Sequence, residues 1–208
     1  MNYGFVPSKM DGTEHVFEEE KGLELPKKYS YKKFLPEVIN QGSKPICVPC
    51  SLSAYINWSK NLETGKNDFD NKVNLQQIFN SRTEKGSDGM SFKDAFKFLR
   101  HEGVDTIDGK YKINRYAKIG SDIVLKQALI MNGPCVGGLP VYDDIAWEFW
   151  KKKQGDKFMG GHAVSIVGYN ENGFIIRNSW GTTYAEKGYV LLPYDSFDSF
   201  TELWTIID

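Results

Sequence analysis

Three side chains in this sequence suit nucleophilic catalysis by a thiol: Cys47, His162 and Asn178. Such chemistry needs a thiolate, a base that produces it and a group that holds the base. Cys47 stands at the predicted start of a helix, where the positive end of the helix dipole would favour a negative sulfur. The chain has three histidines. His15 lies in a polar stretch. His101 closes a charged helix, where a histidine ordinarily complements the dipole. His162 opens an apolar strand directly after Gly160-Gly161, a suitable lip for a base. Asn178 follows the next strand. Antiparallel pairing would bring its amide to one ring nitrogen and set the tautomer.

The elements that must position these groups are legible from periodicity. Val48, Leu52, Tyr55 and Ser59, with Ile56 beside them, predict a helix from Cys47 to about Lys60. Pro49 falls in its first turn, where a missing N–H costs little. A second helix is expected over 74–82. A third is capped at Ser91 and stops at Gly103, and a fourth runs from Ser121 to Met131 before Asn132-Gly133-Pro134. Runs rich in β-branched and aromatic residues follow at 135–141, 162–169, 174–177, 189–192 and 203–207, with a hairpin signal at Asn170-Glu171-Asn172-Gly173. This segregation predicts an α+β fold of two lobes with the site between them. The expected divisions are an arm over 1–24, a helical lobe over about 25–115 and a β-rich lobe over about 116–208.

The motifs resemble those of the papain-like cysteine peptidases. Asn40-Gln41-Gly42-Ser43 followed by Cys47 is similar to the family's oxyanion and nucleophile segment. Gly161-His162-Ala163-Val164 with Val167-Gly168-Tyr169 resembles its histidine strand. Arg177-Asn178-Ser179-Trp180-Gly181 with Gly188-Tyr189 resembles its asparagine segment. Leu25-Pro26 resembles the start of its mature domain, so the likeness covers residues 25–208 in order. The resemblance implies a two-lobed papain-like fold and a cysteine endopeptidase without metal or cofactor. Gln41 and the Cys47 backbone N–H would hold an oxyanion, and Trp180 would cover the bond between His162 and Asn178. Gly89 and Met90 would bond the substrate backbone and begin a pocket lined by Gly138 and Ala163. The chain departs from the family at Lys44-Pro45-Ile46-Cys47-Val48. Lys44 stands where secreted members carry a disulfide cysteine, and Pro45-Ile46 crowd the nucleophile with larger residues.

Other readings of the same residues are an inert buried thiol at Cys47, a rival nucleophile at Cys50, core packing for Cys135, and a zinc site using Cys47, Cys50, Cys135 and His162 with poor ligand spacing. Trp147 and Trp150 lie in an aromatic, charged stretch expected near the cleft, and Lys151-Lys152-Lys153 reads as a solvated face. At the level of function the alternatives are another acyl transfer, such as exopeptidase, deamidase or ligase action, and a catalytically silent papain-like domain serving a larger assembly such as a phage or bacterial particle. A net charge of −1 argues against a nucleic-acid partner. No apolar run suits a signal or membrane span. With three cysteines the default is a reducing compartment, most simply a cytoplasm. The expected partner is a peptide or protein substrate. Residues 1–24 are too few for the family's helical prosegment. Phe5, Val6 and Phe17 could instead dock near Met90 as a plug. The alternative for the arm is to pack outside the strand lobe or stay disordered.

Overall fold

The computed structural model describes residues 3–65, 70, 72–86, 88–143 and 148–208, so Trp147 lies outside the described residues. Helix α1 spans Cys47–Thr64 and ends on Gly65 in the left-handed conformation. It is longer than its periodicity suggested and is buried nearly all round from Cys47 to Asn57. One apolar stripe therefore understates it: the helix lies between other helices and the sheet, and polar members such as Ser51 and Ser53 satisfy their hydroxyls on carbonyls of the preceding turn. Helix α2 is Leu75–Asn80, with Asn74 capping the N–H of Gln77. Helix α3 is Phe92–His101, and the Ser91 side chain accepts from the N–H of Asp94 as expected of an N-cap. Helix α4 is Asp122–Asn132, capped by Ser121 in the same way.

The strands are β1 (Tyr29–Ser30), β2 (Val104–Thr106), β3 (Gly109–Tyr111), β4 (Arg115–Lys118), β5 (Cys135–Tyr142), β6 (Phe158–Asn170), β7 (Gly173–Arg177), β8 (Tyr189–Pro193) and β9 (Glu202–Ile207). Seven of them form one antiparallel sheet in the order β4-β9-β5-β6-β7-β8, with β1 added on β6, while β2 and β3 form a separate hairpin. The short strands β1 to β4 were not legible, because runs of two to four residues carry too little alternation.

Two apolar clusters position the site. One joins α1, α2 and α3 to Val136, Ala163 and Trp204 of the sheet. The other packs α4 against β5, β6, β7 and Trp180. The fold is α+β with antiparallel sheet, as expected. Cys47 at the head of α1 faces strand β6 across the junction of helices and sheet.

Candidate active site

His162 does not open its strand but sits in the middle of β6, four residues after Phe158. The turn after Asn170 folds β7 back so that Ser165 faces Arg177, which delivers the following residue, Asn178, to the histidine. His162 Nε2 lies 2.7 Å from Asn178 Oδ1. An amide oxygen only accepts, so this nitrogen carries the proton and Nδ1 is left as the basic lone pair. Trp180 stacks on the imidazole at 4.8 Å between centroids, and Phe149 meets the same ring edge-on at 5.8 Å. This cover was expected of Trp180. Phe149, buried from the stretch after Tyr142 together with Trp150, carries no local motif that would have revealed it.

Gln41 is brought to the same place by pairing between the loop before α1 and the segment after β7. Gln41 N–H donates to the Ser179 carbonyl at 2.9 Å, and Gly181 N–H to the Ile39 carbonyl at 3.1 Å. The Gln41 amide is then oriented: Oε1 accepts from Ser179 Oγ at 2.6 Å, and Nε2 donates to the Lys44 carbonyl at 2.9 Å. One hydrogen on Nε2 remains for an oxyanion. Cys47 is the first residue of α1, so its own N–H also has no partner within the helix.

The thiol departs from expectation. Cys47 is fully buried, and that burial pushes its pKa up to about 11 despite backbone hydrogen bonds from Ala163 and Gly4 that pull the other way. Burial likewise holds His162 down at about 4, with the Asn178 bond opposing it. No hydrogen bond joins the two: His162 Nδ1 is buried without a partner among the described residues. The helix dipole predicted a thiolate here, but exclusion of water outweighs a dipole that falls off within a turn. The pair is neutral in this state.

Water is excluded by the N-terminal arm, which runs through the cleft. Phe5 N–H donates to the Gly161 carbonyl at 3.2 Å, Met90 N–H to the Gly4 carbonyl at 2.8 Å, and Val6 N–H to the Met90 carbonyl at 3.1 Å. The Phe5 ring fills a pocket beside Phe92 (centroids 5.4 Å apart), in one cluster with Met90 and Ala163. At Gly138 a Cβ would fall 2.2 Å from the Phe5 ring, so the missing side chain is part of the pocket. A Cβ at Gly89 would likewise crowd the arm, at 2.8 Å from the Gly4 carbonyl oxygen and from the Val6 side chain. Tyr3 lies edge-on to both His162 and Trp180, at 6.4 Å from each. Of the three apolar arm residues singled out in the sequence, Phe5 enters the cleft and Val6 points outward at 42% exposure. Phe17 packs on the strand side, its N–H bonded to the Lys118 carbonyl.

Cys50 lies one turn further along α1, buried, with its thiol raised even more than that of Cys47. Cys135 is buried in β5 and directs its sulfur to the Gly133 carbonyl at 3.7 Å. Among the described residues no three His, Cys, Asp or Glu side chains group as metal ligands, and no helix is long and apolar enough to cross a membrane.

Residues 109–199 match the model of the papain family cysteine protease. The solved structure of xylellain, a cysteine protease from Xylella fastidiosa, superposes with a TM-score of 0.80 at 25% identity, covering 99% of this chain and 95% of that one. The chain is thus similar to the papain family over residues 109–199 and to a papain-like cysteine protease in its whole fold. Over 79 residues it is 37% identical to an uncharacterized peptidase C1-like protein of Acanthamoeba polyphaga mimivirus, with 34% of this chain and 25% of that protein aligned. It is 24% identical over 199 residues to a cathepsin L-like proteinase of Fasciola hepatica, covering 80% of this chain and 60% of the relative. This papain-like chain thus spans a quarter to three-fifths of the length of these two relatives.

Proposed function

We propose that the protein is a cysteine peptidase that hydrolyses peptide bonds through Cys47, His162, Asn178 and Gln41. The observation that carries this reading is the state of His162. One ring nitrogen is committed to Asn178 while the other is a buried lone pair with no partner among the described residues. Buried polar atoms are rarely left so, and a catalytic base awaiting its acid accounts for it. In the open enzyme, Nδ1 takes the proton from the Cys47 thiol. The thiolate attacks the peptide carbonyl, and the oxyanion is received by Gln41 Nε2 and the Cys47 N–H. Nδ1 then gives its proton to the leaving amine. Water, deprotonated at the same nitrogen, releases the thioester as a carboxylic acid. Substrates are peptides or proteins that place an apolar side chain in the space held here by Phe5. Three unpaired thiols suit a reducing compartment such as a cytoplasm.

A catalytically silent reading draws on the raised thiol pKa and the absence of a bond between Cys47 and His162. Labelling with a thiol-reactive peptide probe, together with peptide turnover, separates the two. Cys47→Ala should abolish both and Cys50→Ala should keep both. Full turnover in purified Cys47→Ala would sink the mechanism.

A further inference from the structure

We propose that Cys47 and Cys50 form a reversible redox pair: a hydroperoxide links the two sulfurs and so removes the nucleophile, until a dithiol reduces the link. Its effect on activity rests on the peptidase reading, while the pair itself stands on the geometry of α1.

Cys47-Val48-Pro49-Cys50 opens α1. Residues i and i+3 of a helix have Cα atoms about 5 Å apart, inside the span of about 4.4–6.8 Å that a disulfide bridges. Their Cβ atoms lie about 5–6 Å apart, so closure to the roughly 3.5–4.5 Å of a disulfide needs one of the two residues to turn. Cys47 is the one that can. Ile46 before it is not helical, at φ −107° and ψ 26°, and the N–H groups of the first turn have no helix carbonyl to keep. Pro49 brings no N–H and disfavours the helical conformation of Val48. Cys50 is the fixed partner, its N–H donating to the Ile46 carbonyl at 3.0 Å. Both thiols lie in one apolar cluster. Burial raises the Cys50 thiol, Cys47 adds to the rise and Arg177 opposes it, so this sulfur is within electrostatic reach of both. Arg177 is itself buried, and its guanidinium donates to the Tyr189 hydroxyl at 2.7 Å and the Glu37 carbonyl at 2.8 Å, neither of them a carboxylate. Such a cation favours the thiolate form of a neighbouring thiol. Cys135 is no rival partner: it belongs to the other cluster and directs its sulfur to the Gly133 carbonyl.

The chemistry begins in the open enzyme. His162 Nδ1, which has no partner among the described residues, takes the Cys47 proton. The thiolate attacks one oxygen of hydrogen peroxide and the O–O bond breaks. The Cys47 sulfur keeps that oxygen as a sulfenic acid, and the other oxygen leaves as hydroxide and collects the proton from His162. The Cys50 sulfur then attacks the Cys47 sulfur. The S–O bond breaks, and the departing hydroxide leaves with the Cys50 proton as water. The two thiols have lost an electron pair and the peroxide has become two waters. A dithiol reverses the change: one of its sulfurs attacks the link, the other closes the dithiol's own disulfide, and both cysteines regain their protons. Without Cys50, the sulfenic acid meets a second peroxide and becomes sulfinic acid, which a dithiol does not reduce.

The test treats the full chain with hydrogen peroxide until Cys47 can no longer be alkylated after denaturation. Iodoacetamide then marks the thiols that remain, and peptide mapping by mass reads positions 47, 50 and 135. Native protein should show Cys47 and Cys50 joined and Cys135 alkylated, and dithiothreitol should return roughly nine-tenths of the peptide turnover. Cys50→Ala, with turnover before oxidation equal to that of the native protein, should carry sulfinic acid at Cys47 and recover no more than about a tenth. Cys135→Ala should match the native protein in both readouts. Sulfinic acid at Cys47 with an alkylated Cys50 in native protein, or equal recovery in native protein and Cys50→Ala, would overturn the pair. A mapped link between Cys47 and Cys50 in a protein that cleaves no peptide before oxidation would uphold the pair and defeat the peptidase reading alone.

Discussion

Gly4→Ala adds one methyl group where the arm has no room for it. Gly4 passes so close to the loop before α1 that a Cβ would lie 2.1 Å from the Pro45 carbonyl oxygen, 2.4 Å from its carbon and 2.7 Å from its Cα. Every one of these is a backbone atom, so no side chain can rotate aside. The Gly4 φ is not in the left-handed region, so steric contact alone discriminates against alanine. Relief requires the arm to lift, which strains the bonds from Met90 N–H to the Gly4 carbonyl (2.8 Å) and from Phe5 N–H to Gly161 (3.2 Å). Overpacking of this kind costs about 1–3 kcal/mol. Applied to the equilibrium between docked and lifted arm, that is roughly 5- to 150-fold more open protein. The assay is the alkylation rate of Cys47 alongside steady-state turnover of a small peptide. The rate constant and 1/KM should rise together by that factor, with kcat little changed, because the open enzyme is the same in both proteins. Thermal unfolding of the body should hardly move. If Gly4→Ala alkylates and turns over at the native rate, the arm does not close the cleft in solution and the buried, neutral sulfur is not its resting state.

The remaining predictions concern the base and its environment. His162→Ala should abolish the neutral-pH component of the alkylation profile of an opened protein. Asn178→Ala should weaken it less, since water can replace an orienting amide; an unchanged profile in His162→Ala would show that ring and sulfur are not coupled. Burial holds His162 at about 4 against about 6.5 in the unfolded chain. The unfolded state thus binds the extra proton first, and stability, full above about pH 6.5, is lost as pH falls towards 4. Calorimetric Tm should fall over that window, and His162→Gln should flatten the fall; the same slope in both proteins would assign it to other groups.

Much of the candidate site was legible because it depends on short local patterns. Gln41 six residues before Cys47, a glycine pair before His162, and a hairpin turn between His162 and Asn178 each follow from residue order, and pairing of adjacent strands then carries the asparagine to the histidine. Helix ends at Ser91 and Ser121 were equally readable, since a cap is a contact within four residues. The full burial of α1 and the roles of Ser179 and Phe149 were not, because each arises from segments far apart in the chain.

What the sequence by itself determined is therefore the identity and order of the candidate site residues and most of the elements that carry them. Tertiary structure alone decided their state. The arm has no periodicity to read, and whether Phe5 docks or drifts depends on a pocket assembled from Met90, Phe92, Gly138 and Ala163, which lie on three separate elements and a loop. Once it docks, water leaves, and the protonation of Cys47 and His162 is governed by desolvation in place of the helix dipole that the sequence advertised. Charge on a buried group is a property of everything packed around it, which no local pattern contains.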